Sequence, residues 1–204
     1  MPSRSAWFAE AVPNVPVWDC FVRLFHWGTA SLVLVAFLTT DGPRWLHEDS
    51  GYAVLVLVAA RILWGLVGTR HARFVSFLWG PRAVLRYLTL LRAGRAPHYL
   101  GHNPAGAVMV FALLGLLLFV SGSGWLSQTD AYFGLPWLDH LHHVSGDLLL
   151  GLIGVHLAGV AASSWLHREN LVLAMITGRK RRHLTGSQVQ HEHGAAAIAP
   201  RGSH

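Results

Sequence analysis

Histidine is the residue type that offers chemistry here: the chain has 14 of them in 204 residues, against one cysteine, Cys20. Imidazole is a common metal ligand and changes charge near neutral pH. A lone cysteine excludes an internal disulfide and cysteine-based metal clusters, and without a Cys-x-x-Cys-His string no haem can be attached covalently. The chain shows no nucleophile beside a base, no glycine-rich phosphate loop and no paired carboxylates inside an apolar run. Four histidines stand where a polar ring is costly or crowded. His26 and His156 lie inside long apolar stretches, His47 starts another, and His142 belongs to the cluster His140, His142 and His143. An ionisable residue inside a membrane span is a functional candidate by default. His71, His98, His167, His183, His191 and His193 read as solvated.

The elements that must position these rings follow from composition. Hydrophobic residues make up 52% of the chain and charged residues 13%, about half the roughly 25% of a soluble domain. That excludes an ordinary soluble globule and a disordered chain. Four stretches supply the roughly 20 apolar residues that cross a hydrocarbon core about 30 Å thick: 17–39, 46–68, 104–126 and 140–166. They predict an all-α integral membrane four-helix bundle. The first stretch is too long and starts too far into the chain for a signal peptide, and no small-residue cleavage site follows it. The segment 69–103 holds Arg70, Arg73, Arg82, Arg86, Arg92 and Arg95 with no acid, and the tail holds Arg168, Arg179, Lys180, Arg181 and Arg182. The other two connections are acidic apart from Arg44. The positive-inside rule therefore predicts a multi-pass protein of a bacterial inner membrane with both termini cytoplasmic. Trp18, Trp64, Trp79 and Trp165 fall near one predicted interface, and Trp45, Trp125 and Trp137 near the other.

The net charge of +6 gathers in gaps between apolar runs rather than along a polar face, so lipid and not nucleic acid is the expected partner. Residues 80–97 alternate arginines with apolar residues, which predicts a short amphipathic helix on the anionic leaflet. Three parts result. Residues 1–16 form a cytoplasmic N-terminal segment, 17–182 the transmembrane domain, and 183–204 a disordered tail ending in an RGSH tag remnant.

Depth and phase then sort the histidines. Fourteen residues separate His142 from His156, a phase error of roughly 40° and an axial distance of about 21 Å. His143 and His140 are roughly 140° and 160° off that face. His26 lies roughly 14 Å into the first stretch and His156 roughly 16 Å from the end of the fourth, so they share one depth. His47 and His142 share the outer surface. Two histidine pairs, one above the other, are thus expected in the core of the bundle, where cofactors are commonly held. Opposed imidazoles suit six-coordinate haem iron, whereas zinc wants three or four protein ligands. Gly51, Gly65, Gly106, Gly115, Gly146, Gly151, Gly154 and Gly159 leave room for a flat macrocycle; they equally fit close helix packing.

The strings VWDCFVRLFHW, LHEDSGY, GHNPAGA, HHVSGDLLLGLIGVHLAGV and LHRENLVLAMITGRK resemble the prokaryotic cytochrome b561 family. They are most similar to the branch containing the cytochrome b subunits of nickel–iron hydrogenases. The resemblance spans residues 14–182 and implies four or five membrane helices with two b haems. Carried over by position, the implied ligands are His26 with His156 and His47 with His142. The string LHHV places a second histidine, His143, beside the implied outer ligand.

Cationic neighbours complete this picture. Arg23 stands near His26, and Arg61 lies inside the second apolar stretch, where a bare charge is costly. Both are candidates to serve the inner haem or a quinone beside it. His102, before Asn103 as helix cap and Pro104 at the first turn, is a candidate for a propionate or a quinone carbonyl. Asp147 is a candidate acceptor for a ligand imidazole. The function expected is electron transfer between the quinone pool and a periplasmic partner, a cytochrome c or hydrogenase-like subunit. Two alternatives are a superoxide:quinone oxidoreductase and a haem-free histidine-lined metal transporter; a homodimer is left open.

Overall fold

The computed structural model describes residues 14–97, 99 and 101–181. The expected cytoplasmic N-terminal segment, but for its last residues, and the expected disordered tail lie outside the described residues. Four helices are long and apolar enough to cross a membrane: α1 (Cys20–Leu38), α2 (Arg44–Val67), α4 (Pro104–Ser127) and α5 (Pro136–His167). Between them lies α3 (Pro81–Arg92), and α6 (Leu171–Thr177) follows α5. The architecture is the expected all-α membrane bundle.

Local chemistry explains most helix ends. The Asp19 carboxylate caps α1 by accepting a hydrogen bond from the Val22 amide at 2.8 Å. Asn103 caps α4 in the same way, taking the Gly106 amide at 2.7 Å, with Pro104 in the first turn. Proline at the start of α5 begins that helix at Pro136, one turn before the expected His140. This happens because proline lacks the amide that a first turn leaves unpaired. The fourth crossing therefore runs 32 residues, about 48 Å.

α1 packs on α2, α2 on α4, and α4 on α5. Val54 and Val58 of α2, Leu114 and Leu117 of α4 and Leu149 of α5 form the buried cluster at their centre. α1 and α5 are not a packed pair. Outward faces carry exposed Leu34, Val56, Leu63, Leu118 and Leu150, as a lipid-facing surface requires. The amphipathic segment folds as expected into α3, which packs on α4; its Arg82 and Arg86 are exposed, while Tyr87 is buried with its ring 5.9 Å from that of Tyr99.

One feature of the fold was not expected from the sequence. Strands β1 (Asn14–Pro16) and β2 (Arg179–Arg181) pair antiparallel and tie the two described ends of the chain together. This places them at one end of the bundle, called here the terminal end; the opposite end is the distal end. Gly178, at φ 77°, turns the chain from α6 into β2, a left-handed conformation that glycine adopts without cost. Its carbonyl accepts the amides of Val17 and Trp18 at 2.8 and 3.1 Å. Lys180, buried in β2, donates to the Tyr99 carbonyl at 3.0 Å and lies 3.6 Å from the buried Glu169 carboxylate.

Asp19 also binds across the bundle. Its second oxygen accepts hydrogen bonds from the Trp64 indole at 3.0 Å and the Thr69 hydroxyl at 2.6 Å. Burial alone would raise its pKa, but these bonds, the Val22 amide and the nearby Arg61 outweigh it and hold the carboxyl below 3.8. A depressed folded value means stabilisation that is complete above the ordinary pKa and lost as pH falls through the folded one. Asp19→Ala is expected to cost about 2 kcal/mol, a cap plus two stranded donors. In detergent melts at neutral pH the variant should unfold several degrees early, and the gap should narrow only below pH 3.8. An equal gap at every pH would show that the charge plays no part.

Candidate functional site

α1 and α5 approach each other through histidines. His26 and His156 lie with ring centroids 6.4 Å apart, and both rings are half-buried. Nearer the distal end, His47 of α2 and His142 of α5 lie 6.1 Å apart. The two pairs are stacked along α5, about 21 Å apart. Among the described residues, no three His, Cys, Asp or Glu side chains gather into a metal-binding group; the arrangement is strictly of twos.

Ring spacing tests what such pairs can hold. A metal–imidazole bond of about 2.0 Å, plus about 1.1 Å from ring nitrogen to ring centre, puts two rings on opposite sides of one metal about 6.2 Å apart. Both observed spacings match that span. The hydrogen bonds settle which nitrogens are available. Nδ1 of His47 lies 2.9 Å from the Ala36 carbonyl, and Nδ1 of His142 lies 3.0 Å from the Val120 carbonyl. A carbonyl only accepts, so each Nδ1 carries the proton and each Nε2 keeps its lone pair. That is how ligating histidines are usually oriented. His26 differs, for its Nδ1 is buried with no hydrogen-bond partner. The residues present fit an iron porphyrin with one imidazole on each face.

The histidine neighbours separate as the helical phase predicts. His142 is half-buried, whereas His140 and His143 are exposed. His143 Nδ1 donates to the Asp139 carbonyl of its own helix at 2.7 Å. Gly124 of α4 is a site residue that helical periodicity does not reveal. A Cβ there would come within 2.9 Å of His142 Cε1 and 3.2 Å of its Nδ1, so only glycine leaves the ring its place. The signal was available in the SGSGW string, but nothing local says which glycine faces which ring. Ser123 Oγ, 3.2 Å from His142 Nδ1, adds a second polar neighbour. Two expectations are corrected. Gly65 makes room for the ring of Phe74 rather than for a macrocycle, since a Cβ would overlap that ring. Asp147 is exposed and bonds no ligand imidazole, because backbone carbonyls fill that role.

The candidate cations gather at the terminal end. Arg61 is buried, donates from Nη2 to the Ala72 carbonyl at 3.1 Å, and stacks over Phe74 at 5.1 Å. Its Nη1 is buried without a partner, as is Nε of Arg23, whose stem lies beside Gly178. His102 sits between Phe77 and Trp18, with ring centroids 4.4 and 4.7 Å away, and its Nδ1 is also unpartnered. Burial first, then Arg61, Lys180 and His71, pushes the His102 imidazole down to about 3, so it is neutral at physiological pH. It lines a cavity of about 190 Å³ with Arg70, His71, Trp79 and Tyr99.

The family model for prokaryotic cytochrome b561 matches residues 17–178. The chain belongs to the prokaryotic cytochrome b561 family. Among relatives of this family member, a probable Ni/Fe-hydrogenase B-type cytochrome subunit of Azotobacter chroococcum mcd 1 is 25% identical over 215 residues, covering 80% of this chain and 87% of that one. The corresponding protein of Rhizobium leguminosarum bv. viciae is 24% identical, covering 82% and 89%. A probable Ni/Fe-hydrogenase 1 B-type cytochrome subunit of Escherichia coli (strain K12) is 25% identical over 146 residues, covering 57% of this chain and 62% of that one. No solved structure matches. Membership makes this b561 protein a transmembrane electron-transport cytochrome of the b type, and its four crossing helices agree.

Proposed function

We propose that the chain is a dihaem cytochrome that carries electrons between the quinone pool and a periplasmic redox partner. The observation that carries this reading is two pairs of opposed imidazoles, with ring centroids 6.4 and 6.1 Å apart, stacked in one bundle. Haem supplies the one-electron chemistry when bound. His26 and His156 would hold one group by its two faces, and His47 and His142 the other. The Ala36 and Val120 carbonyls fix the tautomer and orientation of the second pair. The unpaired α1/α5 seam gives the macrocycle of the first pair a place to lie.

The unpartnered donors of Arg23 and Arg61 suit carboxylates, and we assign them to the propionates of the terminal-end haem or to a quinone beside it. His102, neutral and unpartnered, suits a quinone carbonyl or a propionate, since a neutral imidazole still has one N–H to donate. The basic terminal end faces the cytoplasm on the positive-inside rule. That puts His47 and His142 on the periplasmic side, where the redox partner docks. The hydrogenase cytochrome subunits among the relatives favour a hydrogenase-like subunit over a soluble cytochrome c. The metal-transporter alternative lacks a third ligand at either pair among the described residues.

A pyridine haemochrome assay on purified protein tests the reading. The expected result is two haems per chain, both extractable in acid acetone because no covalent attachment string exists. A stoichiometry near zero, or haem that resists extraction, would overturn it.

A further inference from the structure

The connection that follows α2 holds a buried cation in place. Arg61 stands six residues from the terminal end of α2, and His26 six from that of α1. Both therefore lie at one depth, about 9 Å along their helices. The Arg61 guanidinium is buried, donates from Nη2 to the Ala72 carbonyl and lies over the Phe74 ring. Its Nη1 is buried with no partner among the described residues. The nearby Asp19 does not take it, because both its oxygens already accept from Val22, Trp64 and Thr69.

The fold fixes the direction of this free nitrogen. The Thr69 carbonyl accepts the amides of Ala72 and Arg73 at 2.9 and 3.0 Å, closing a turn that presents the Ala72 carbonyl to Arg61. Phe74 opens the short 3₁₀ turn Phe74–Ser76. Its ring packs on those of Phe77 and Phe111, with centroids 6.0 and 5.3 Å away. Gly65, one turn beyond Arg61 on α2, gives that ring its seat, since a Cβ there would overlap it. A guanidinium is a rigid plane. With one edge hydrogen-bonded and one face on an aromatic ring, it cannot rotate without breaking a contact.

We propose that Phe74, seated by Gly65, is a positioning residue that aims Nη1 of Arg61 at a propionate of the haem held by His26 and His156. The assignment rests on the haem reading and chooses between the two acceptors open to Arg61. Charge makes the choice: a buried guanidinium without a free acid calls for an anion, and a quinone carbonyl is neutral. A cation paired with that propionate disfavours the ferric charge beside it, so the aimed arginine raises the potential of this haem.

Potentiometric titration of the purified protein tests it, with pyridine haemochrome as the haem count. Phe74→Leu should keep two haems and lower one midpoint, the one that His156→Ala removes. The expected drop is about ten-fold in the reduction equilibrium, about 59 mV for one electron. The other midpoint should stay where it is. Gly65→Ala, which drives the ring off its seat, should move the same midpoint in the same direction. Arg61→Gln should lower it too, and adding Phe74→Leu to Arg61→Gln should lower it no further, because the ring acts through the arginine. Additive shifts, equal shifts of both midpoints, or no shift in Phe74→Leu would overturn the proposal. A change confined to the KM for quinol would also overturn it, by putting Arg61 at the quinone. Fewer than two haems in the native protein would overturn the haem reading and this proposal with it, and the haem count tells that failure from the others.

Discussion

His156→Ala is expected to halve the haem content and to abolish reduction by quinol, while His142→Ala halves the content and leaves that reduction intact. The two residues stand on one helix about 21 Å apart, each facing a single imidazole across a gap of metal–ligand size. Loss of one ring leaves iron one protein ligand at that level and should not disturb the other level, because Leu149 and its cluster pack between them. The difference in quinol behaviour comes from the terminal end. Arg61, Arg23 and the neutral His102 place their unpartnered donors there, and the cavity beside His102 opens on the same side. Potentiometric titration should find two midpoints in the native protein and one in either variant. Burial of a ferric charge raises a potential and unpaired propionates lower it, so the two effects oppose each other at each level. Stopped-flow mixing with quinol supplies the second readout. Quinol reduction that survives His156→Ala would put the quinone site at the distal end.

The second large effect contrasts neighbours. His142→Ala should lose the distal haem, and His143→Ala should keep both. Neighbours on a helix are roughly 100° apart, and here that rotation takes His143 out to an exposed face while His142 meets His47. Gly124→Leu should reproduce His142→Ala without touching a ligand. The added Cβ alone would press on Cε1 and Nδ1 of His142, and a helix backbone cannot retreat from it cheaply. The expected change is from two haems to one in His142→Ala and Gly124→Leu, against none in His143→Ala, read by pyridine haemochrome. Loss of a haem in His143→Ala alone would mean that the distal turn of α5 is wound differently.

The four crossings were legible because hydrocarbon leaves a polar backbone no alternative to the helix, and 20-residue apolar runs are hard to mistake. Phase and depth were legible for the same reason: a regular helix converts residue number into angle and height. That is why His26, His47, His142 and His156 could be paired from residue numbers alone, and why Asn103 and Pro104 could be read as a helix start. Boundaries were less legible. The start of α5 moved to Pro136 because a proline at a first turn costs nothing. The α6 turn was in principle readable from Asn170 as its cap, which accepts the Leu173 amide, and Gly178 as its stop.

The sequence by itself determined that this is an all-α membrane protein with histidines at two levels, since composition, periodicity and chain order are local properties. Tertiary structure alone decided which groups surround those histidines. Gly124 clears the way for His142, carbonyls rather than Asp147 orient the rings, and Arg61 turns to Ala72 and Phe74. It also decided that β2 returns to clamp β1, with Lys180 buried against Glu169 and Tyr99. Each of these contacts joins residues on different elements or loops of the fold. Their energies depend on helix rotation and separation, which packing of Val54, Val58, Leu114, Leu117 and Leu149 sets for the bundle as a whole and which no local window of sequence contains.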